Sequence, residues 1–503
     1  MTIEREQSAK SSNYNQPSRQ FWRLAAAVLI VGFYFFGLNI PLVGPDEPRY
    51  AEVAREMYQR GDWITPTLGG FHWFEKPALL YWLQIASFHF IGVNEFAARL
   101  GSAIFGLGTI ATVFFLCSAE EDASEACDGL SFSEIAALMA ATSLGIIVFS
   151  RGASFDIILT FPITAAMACF YRFYQSDSAK WLCGFYVFVG IATLAKGLVG
   201  ILFPFAIVFA FYLVERHRPR RKELFSLIWG TALMSAVAAS WYLPMYLRNG
   251  WEFVDEFFIQ HHFRRYTTNQ FFHPQPFYFF FWVLPLMTVP WLPFFFAQIC
   301  NRVRRIVDSQ TTRPQKAGAL ERLAFVWVAI PLLFFSFSGS KLPGYILPSV
   351  PPAIVLSAFA ARRFICQRKF GSRLILIISA ATLAVSAVLI LTLVPRFADD
   401  DSVKRLIRQA DAAGFSETKL VGLHGISHNA EFYAAGRLIR NVDGKQKKLY
   451  GLTELAAEAD AAGGRILVLV PNEYARQVLD SPMLRSSKIA ENAELTLIAV
   501  THP

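Results

Sequence analysis

Ionisable residues cluster directly after the first apolar stretch of the chain. The run 44–50 reads GPDEPRY and carries Asp46, Glu47 and Arg49, and Glu75 and Lys76 follow before the next apolar stretch. Charged groups beside hydrocarbon are costly unless they are paired, hydrated or used, so the cluster predicts a functional site at a membrane surface. Acids next to cations suit a phosphate ester, because Arg binds phosphate through two parallel hydrogen bonds and Lys supplies a point charge.

The composition predicts the elements that must position this cluster. The chain has 503 residues, of which 54% are hydrophobic and 17% charged, and its mean hydropathy is +0.37. Soluble domains carry about 25% charged residues, so we expect a polytopic α-helical membrane protein. Eleven stretches are long enough to cross a bilayer, and up to thirteen spans fit the chain. The eleven lie near 21–41, 96–118, 132–150, 155–175, 181–196, 197–214, 224–247, 277–300, 322–338, 343–361 and 374–394.

Orientation follows from the basic segments, because short loops rich in Lys and Arg stay cytoplasmic. The segments 216–222, 302–322 and 362–373 fall on one side together with the N-terminus. We therefore expect a cytoplasmic N-terminus and an outer C-terminus. The net charge of +9 describes this topology and gives no reason to expect nucleic acid. Lys196 lies at a span end, where snorkelling to the surface is the usual explanation.

The chain divides into three predicted parts. Residues 1–20 are a disordered cytoplasmic segment, 21–394 form the membrane domain, and 395–503 alternate helical and strand-like segments typical of a small periplasmic α/β domain. Within the membrane domain, 42–94 is an outer loop with helices over 46–60 and 77–90. The C-terminal part has no glycine-rich nucleotide-binding pattern, so we expect an accessory or acceptor-docking role and no nucleotide.

Two further outer segments carry polar residues. The segment 248–276 contains His261, His262 and Arg265, and the segment 338–348 reads SGSKLPGYILP. Backbone broken by Pro and Gly at membrane depth is tolerated only where it is buried in protein or lines a cavity. The segment 338–348 is therefore predicted to face the site.

The six cysteines map to spans or cytoplasmic ends in this topology, and none falls in an outer loop. No CxxC pair exists. We expect no disulfide framework and no cysteine metal site.

The outer location of the charges limits the chemistry. Neither ATP nor a nucleotide sugar is available outside the cell, so a transferase there needs a donor linked to a lipid phosphate. A transporter usually places its ionisable groups near the bilayer midplane or shows internal repeats. Here the charges collect in outer loops, which favours an enzyme.

Four motifs resemble one family. The run 46–57 (DEPRYAEVAREM), followed by 61–66 (GDWITP), 74–77 (FEKP) and 341–348 (KLPGYILP), is similar to the aminoarabinose transferase (ArnT) branch of the GT-C glycosyltransferases. Relatives of that branch include the protein O-mannosyltransferases. The resemblance covers most of residues 40–350 and implies a GT-C fold, whereas the C-terminal part shows little to match.

The resemblance implies a function and a location. Members transfer 4-amino-4-deoxy-L-arabinose from undecaprenyl phosphate to a lipid A phosphate at the periplasmic face of the bacterial inner membrane, and this masking of charge gives polymyxin resistance. Two alternatives stay open. One is transfer of a polyprenyl-phosphate-linked sugar to Ser or Thr of a protein, as by the O-mannosyltransferases, and the other is transfer of another sugar to another cell-envelope glycan or lipid.

The resemblance also assigns residues. It makes Asp46 and Asp156 acidic positions of the catalytic site, and we group Glu47 with them. Its donor-phosphate positions fall on Lys76, Arg265 and Tyr345. Arg49 and Lys341 are further outer cations that we expect at the same phosphate.

A divalent metal ion is the one cofactor that the resemblance suggests. Its two positions fall on Glu75 and His262, and His261 beside the latter leaves the register open by one residue. Two ligands do not define a metal site without further oxygen ligands.

Each site residue also has a simpler explanation. Asp46 suits the N-cap of a helix, and Glu75 with Lys76 suits an exposed ion pair of little energetic value. Asp156 could mark a span boundary, and Tyr345 could belong to the interfacial aromatic belt.

Overall fold

The structure, a computed structural model, describes residues 16–121, 129–264, 274–308, 318–368 and 370–501. Fifteen of its α-helices precede residue 402. In chain order, α1 to α15 are Gln16–Phe35, Asp46–Arg60, Leu79–Ile91, Glu95–Cys117, Phe132–Ala141, Leu144–Ser150, Phe155–Ser176, Ala179–Lys196, Leu198–Glu215, Arg221–Val254, Phe279–Met287, Leu292–Asp308, Ala319–Ser336, Val350–Gln367 and Gly371–Asp401. A π-helix, Asp255–Arg264, follows α10, and a 3-10 helix, Pro343–Ser349, precedes α14.

Within the described residues, eight helices are long and apolar enough to cross a membrane. They match eight of the eleven predicted spans. The predicted span 132–150 is the bent pair α5 and α6, which meet at 54°. The predicted span 277–300 is broken between α11 and α12, where Pro290 lacks a donor N–H. The predicted span 21–41 corresponds to the apolar part of α1, Gln20–Phe35.

The predicted outer loop, 42–94, folds largely as expected. Helix α2 covers the predicted range 46–60, and it ends at Gly61, whose φ of +65° is the left-handed conformation that favours glycine at a helix end. Helix α3 begins two residues after the predicted start. Between them, a two-residue hairpin turn joins β1, Thr67–Leu68, to β2, Phe71–His72.

A mixed five-stranded sheet with helices on both faces forms the C-terminal part. Its strands are β3 Leu420–Leu423, β4 Lys448–Leu449, β5 Arg465–Pro471, β6 Arg485–Glu491 and β7 Leu495–Thr501, in the order β4-β3-β5-β7-β6. The helices are α16 Lys404–Ala410, α17 Asn429–Ala434, α18 Leu452–Ala461 and α19 Ala475–Leu479. The first three strands in this order are parallel, and β7 and β6 are antiparallel to their neighbours.

Apolar side chains point to both faces of the sheet, which explains why helices cover both faces. In β5, Ile466 and Val468 belong to one apolar cluster, and Leu467 and Leu469 belong to another. Successive side chains of a strand point to opposite faces. A strand that is apolar at every position therefore needs a helical layer on each side, which confirms the predicted α/β class.

The sequence predicts no disulfide framework, and one cysteine of the described residues nevertheless takes part in a disulfide. Cys366 is disulfide-bonded, whereas Cys117, Cys169, Cys183 and Cys300 are free thiols. A pairing of this kind depends on which segments meet in three dimensions, and the spacing of cysteines along the chain does not report it.

A buried ion pair joins the outer loop to the membrane helices. Arg99 of α4 donates to Glu47 from Nε at 3.0 Å and from Nη2 at 2.6 Å. The Arg99 side chain is 2% exposed and also donates to the carbonyls of Leu38, Ile40 and Pro41. These bonds fix the turn that leads from α1 into α2.

Replacement of Arg99 by leucine tests the energetic weight of this pair. Removal of one partner from a buried ion pair leaves an uncompensated charge and costs about 3–5 kcal/mol. We expect Arg99→Leu to lower the thermal unfolding midpoint of the detergent-solubilised protein markedly. The matched control is Arg248→Leu, which removes a half-exposed pair with Asp62 and should cost at most about 1 kcal/mol. Equal stability of the two variants would contradict the assignment.

Candidate active site

A cavity of about 900 Å³ lies where the outer loop meets the membrane helices. Six predicted site residues line it together. These are Asp46, Glu47, Glu75, Lys76, Asp156 and Tyr345. Apolar side chains of α6, α9 and α15, among them Ile147, Leu198 and Leu389, form another part of the wall. The cavity therefore combines a group of charges with a surface suited to hydrocarbon.

Asp46 begins α2 at the cavity wall. The N-cap of this helix is Pro45, and no side chain caps it. The Asp46 carboxylate instead accepts from Arg49 Nη2 at 2.5 Å, and Arg49 Nε donates to the Pro45 carbonyl at 2.8 Å. The explanation of Asp46 as an N-cap is therefore wrong. Its side chain is 48% exposed, so the carboxylate is accessible.

Glu47 lines the same cavity, but its carboxylate is occupied. In addition to both bonds from Arg99, Oε1 accepts from the Ala153 amide at 2.6 Å and Oε2 from the Val43 amide at 3.0 Å. Four donors on one carboxylate suit a residue that holds its neighbours in place. The geometry favours a structural role for Glu47 over the predicted catalytic one.

Glu75 and Lys76 form a second charged pair, with 2.5 Å between Lys76 Nζ and Glu75 Oε1. The two side chains are 12% and 13% exposed, so this is not the exposed pair of the simpler explanation. The buried phenol of Tyr50 lines the cavity near them. Burial and the Glu75 carboxylate raise the pKa of Tyr50, so its hydroxyl stays protonated and can donate.

Asp156, Lys196 and Tyr345 form a third group. Lys196 forms an ion pair with Asp156 Oδ1, and its Nζ lies 4.7 Å from the centroid of the Tyr345 ring. Ser154 caps α7 and orients Asp156 by accepting from its amide at 3.1 Å. The snorkelling interpretation of Lys196 is wrong, because the ammonium faces this carboxylate in the cavity.

The segment that carries Tyr345 faces the cavity as predicted. Leu342, Pro343, Gly344 and Tyr345 all line it from the 3-10 helix and the residue before it. Lys341 lies apart from the cavity lining. It is buried, and its ammonium donates to the carbonyls of Ser338 at 2.6 Å and Gln275 at 3.1 Å.

Two predicted residues lie outside what the structure describes. Arg265 falls after the described end of the π-helix, and the side chain of His262 is likewise not described. His261 lines the cavity. Among the described residues, no three side chains of His, Cys, Asp or Glu come together to bind a metal ion. The described residues alone therefore do not form a metal site, and the metal at Glu75 and His262 stays a prediction.

The chain has relatives among known proteins. Residues 25–257 match the family of dolichyl-phosphate-mannose-protein mannosyltransferases. An undecaprenyl phosphate-α-4-amino-4-deoxy-L-arabinose arabinosyl transferase of Yersinia enterocolitica is 33% identical over 69% of this chain and 61% of its own length. The corresponding protein of Serratia proteamaculans is also 33% identical, over 67% of this chain and 59% of its own length.

The solved structures agree on the fold. ArnT from Cupriavidus metallidurans bound to undecaprenyl phosphate superposes with a TM-score of 0.75, covering 95% of this chain and 98% of that chain at 21% identity. The chain belongs to the ArnT family within the GT-C superfamily. The oligosaccharyltransferase AglB from Archaeoglobus fulgidus is more distant, with a TM-score of 0.56, coverage of 90% and 70%, and 12% identity.

Two residues of this ArnT-family chain have roles that the sequence did not predict. Arg99 stands inside an apolar span and gives no local signal of its partner Glu47. Arg151 lines the cavity and donates to the carbonyls of Phe33, at 3.0 Å, and of Phe36. Its position directly after α6, at the end of the predicted span 132–150, was the one available signal, because an arginine at a span end beside a predicted site is a candidate for it.

Gly344 offers a test of the Asp156 position. A Cβ at Gly344 would overlap Asp156 Oδ2 and lie 2.8 Å from Phe149 Cε1. We expect Gly344→Ala to destabilise the protein by about 1–3 kcal/mol, because overpacking forces side chains to move. The measurement is thermal unfolding in detergent.

The control is Gly451→Ala, where an added Cβ meets no atom within 4 Å. In an Asp156→Ala background, the cost of Gly344→Ala should shrink, because most of the overlap is gone. An unchanged cost in that background would contradict the close approach.

Proposed function

We propose that this ArnT-family protein transfers a sugar from undecaprenyl phosphate to a lipid A phosphate at the periplasmic face of the inner membrane. The favoured sugar is 4-amino-4-deoxy-L-arabinose. The observation that carries the proposal is the cavity, which joins paired acids and cations to an apolar wall of membrane helices. A phosphate bearing a long hydrocarbon chain needs both surfaces at once.

The relatives support the choice of donor. The proteins of Yersinia enterocolitica and Serratia proteamaculans are named for transfer from undecaprenyl phosphate, and the ArnT of Cupriavidus metallidurans was crystallised with this lipid. The matched region spans 61% of the Yersinia protein. The activity, substrates and partners of this chain are therefore proposals. The topology completes the proposal, with a cytoplasmic N-terminus and a periplasmic α/β domain.

The reaction requires cleavage of one bond and formation of another at the anomeric carbon. An oxygen of the acceptor phosphate forms the new bond, and the bond from that carbon to the donor phosphate oxygen breaks. Its electron pair leaves with undecaprenyl phosphate. Lys76 and Arg265 would offset the negative charge on this leaving group, and Lys196 and Tyr345 line the same cavity as Lys76.

Asp46 has a defined part in this reaction. A lipid A phosphate is already anionic at neutral pH, so Asp46 is not needed to remove a proton. Its accessible carboxylate would stabilise the positive charge that develops on the sugar and orient the acceptor. Arg49 is not among the cavity-lining residues, so its part would be to hold the Asp46 carboxylate in place through their ion pair.

Protein O-mannosylation is the second candidate. The match of residues 25–257 to the dolichyl-phosphate-mannose-protein mannosyltransferases favours it. A Ser or Thr hydroxyl must lose a proton, so Asp46 would then act as a general base. Lys196, Tyr345 and the apolar wall would serve either donor.

Asp46→Asn tests the proposal. We expect the variant to lose transfer by about a hundredfold or more, because it removes a charge aimed at the transition state. The measurement is mass spectrometry of lipid A from a deletion strain that carries the wild-type protein or the variant at equal membrane levels. Wild type should restore a sugar-sized mass that the deletion strain lacks.

The matched control is Asp443→Asn, which changes an exposed aspartate of the C-terminal part and should restore the mass fully. Lipid A that is identical in the deletion and wild-type strains would contradict the acceptor. A loss of glycosylated envelope proteins in the same deletion strain would then favour the second candidate.

A further inference from the structure

The turn before α2 has three consecutive backbone amides that all donate to side chains. The Leu42 amide donates to the Tyr433 hydroxyl at 2.8 Å, the Val43 amide to Glu47 at 3.0 Å, and the Gly44 amide to Asp401 Oδ2 at 2.8 Å. Asp46 follows two residues later. Two of the three acceptors thus come from residues about 360 to 390 positions further along the chain.

Tyr433 belongs to α17 of the C-terminal domain, and its hydroxyl is used twice. It accepts from Leu42 and donates to Glu95 Oε1 at 3.0 Å. Glu95 is buried and also forms an ion pair with Lys404. Burial and the Glu95 carboxylate raise the pKa of Tyr433, so the hydroxyl keeps the proton it donates.

Asp401 is the last residue of α15 and links the turn to the same domain. Its Oδ2 accepts from Gly44 and, at 3.2 Å, from Asn429 Nδ2 at the start of α17. Gly44 has a φ of +67°, a left-handed conformation that glycine adopts readily. The Gly44 conformation and the Asp401 acceptor together set the direction in which the chain enters α2.

Helix α17 also packs along α2 itself. Arg55 donates to the Phe432 carbonyl at 2.9 Å, and its guanidinium lies 4.8 Å from the centroid of the Phe432 ring. Since no side chain caps the N-terminus of α2, the position of its first residue depends on bonds made by the preceding turn and by α17.

We propose that Tyr433 and Asp401 are positioning residues for Asp46, through which the C-terminal domain holds the acid of the active site. The inference rests on the proposed function only for the expected change in kcat. The domain is then part of the catalytic unit, which replaces the accessory role expected from the sequence.

Tyr433→Phe removes the hydroxyl and keeps the ring. We expect kcat for sugar transfer to fall about tenfold to a hundredfold, because a displacement of about 1 Å in a reacting geometry costs on that order. The KM for the polyprenyl donor should stay within twofold, since Tyr433 is not among the described residues that line the cavity. The matched control is Tyr450→Phe, an exposed tyrosine of the same domain, which should leave both constants unchanged.

Asp401 provides an independent pair of variants. Asp401→Ala should lower kcat in the same way, and Asp401→Asn should recover most of it, because an amide oxygen still accepts from Gly44. The control is Asp411→Asn, which weakens an ion pair with Arg437 inside the domain, 2.7 Å apart, without contact to the turn. A loss of kcat in Asp411→Asn equal to that in Asp401→Ala would show a general effect of domain stability and overturn the inference.

Hydrogen exchange of the peptide that covers 40–47 tests the same bonds without any substrate. In Tyr433→Phe and Asp401→Ala, the Leu42 and Gly44 amides should exchange at least tenfold faster than in wild type, and Tyr450→Phe should not change them. Unchanged exchange with unchanged kcat would overturn the inference. A wild-type protein with no transfer activity would contradict the proposed function. Faster amide exchange in the two variants would still support the hydrogen bonds made by Tyr433 and Asp401.

Discussion

The ion pair between Glu47 and Arg99 is the interaction on which the geometry of the active site depends. A carboxylate and a guanidinium removed from water must satisfy each other and their remaining hydrogen-bonding groups, or the protein is strongly destabilised. Here Arg99 meets this requirement by also donating to three carbonyls of the turn 38–41. Glu47 meets it by accepting hydrogen bonds from two backbone amides. The requirement to satisfy two buried charges therefore fixes the chain on both sides of Asp46. That chain must lie at the wall of the cavity for the pair to form.

Three acids that line the cavity each form an ion pair. Asp46 pairs with Arg49, Glu75 with Lys76, and Asp156 with Lys196. Such pairs can be kept beside hydrocarbon because each charge is offset by its partner, and the fixed positions reduce the reorganisation needed when a charged ligand arrives. In the proposed function, a lipid phosphate would bring negative charge to the cations and leave the carboxylates directed at the sugar. The apolar wall would accept the hydrocarbon chain.

The sequence carried the local features of this arrangement. Helix α2 and its end at Gly61, helix α3 and the broken segment 338–348 follow from residue types alone, as do the acids and cations of the outer loop. Partners far apart in sequence could not be predicted. Lys196 and Asp156 are separated by 40 residues and Tyr433 and Leu42 by 391, and a single sequence contains no signal for such contacts. Strand β6 was also missed, because this edge strand is mostly polar and partly exposed along its length, and β4 is too short for a period of two to be visible.

The position of a bound donor would show whether the cavity is the site that holds a lipid-linked phosphate. The measurement is a cryo-electron microscopy map of the protein purified with undecaprenyl phosphate and without acceptor. We expect the phosphate within hydrogen-bond distance of Lys76 Nζ, in the cavity that Lys196 and Tyr345 also line, with the polyprenyl chain along Ile147 and Leu198. A phosphate bound elsewhere, with the cavity empty in the same map, would show that the cavity is not the donor site.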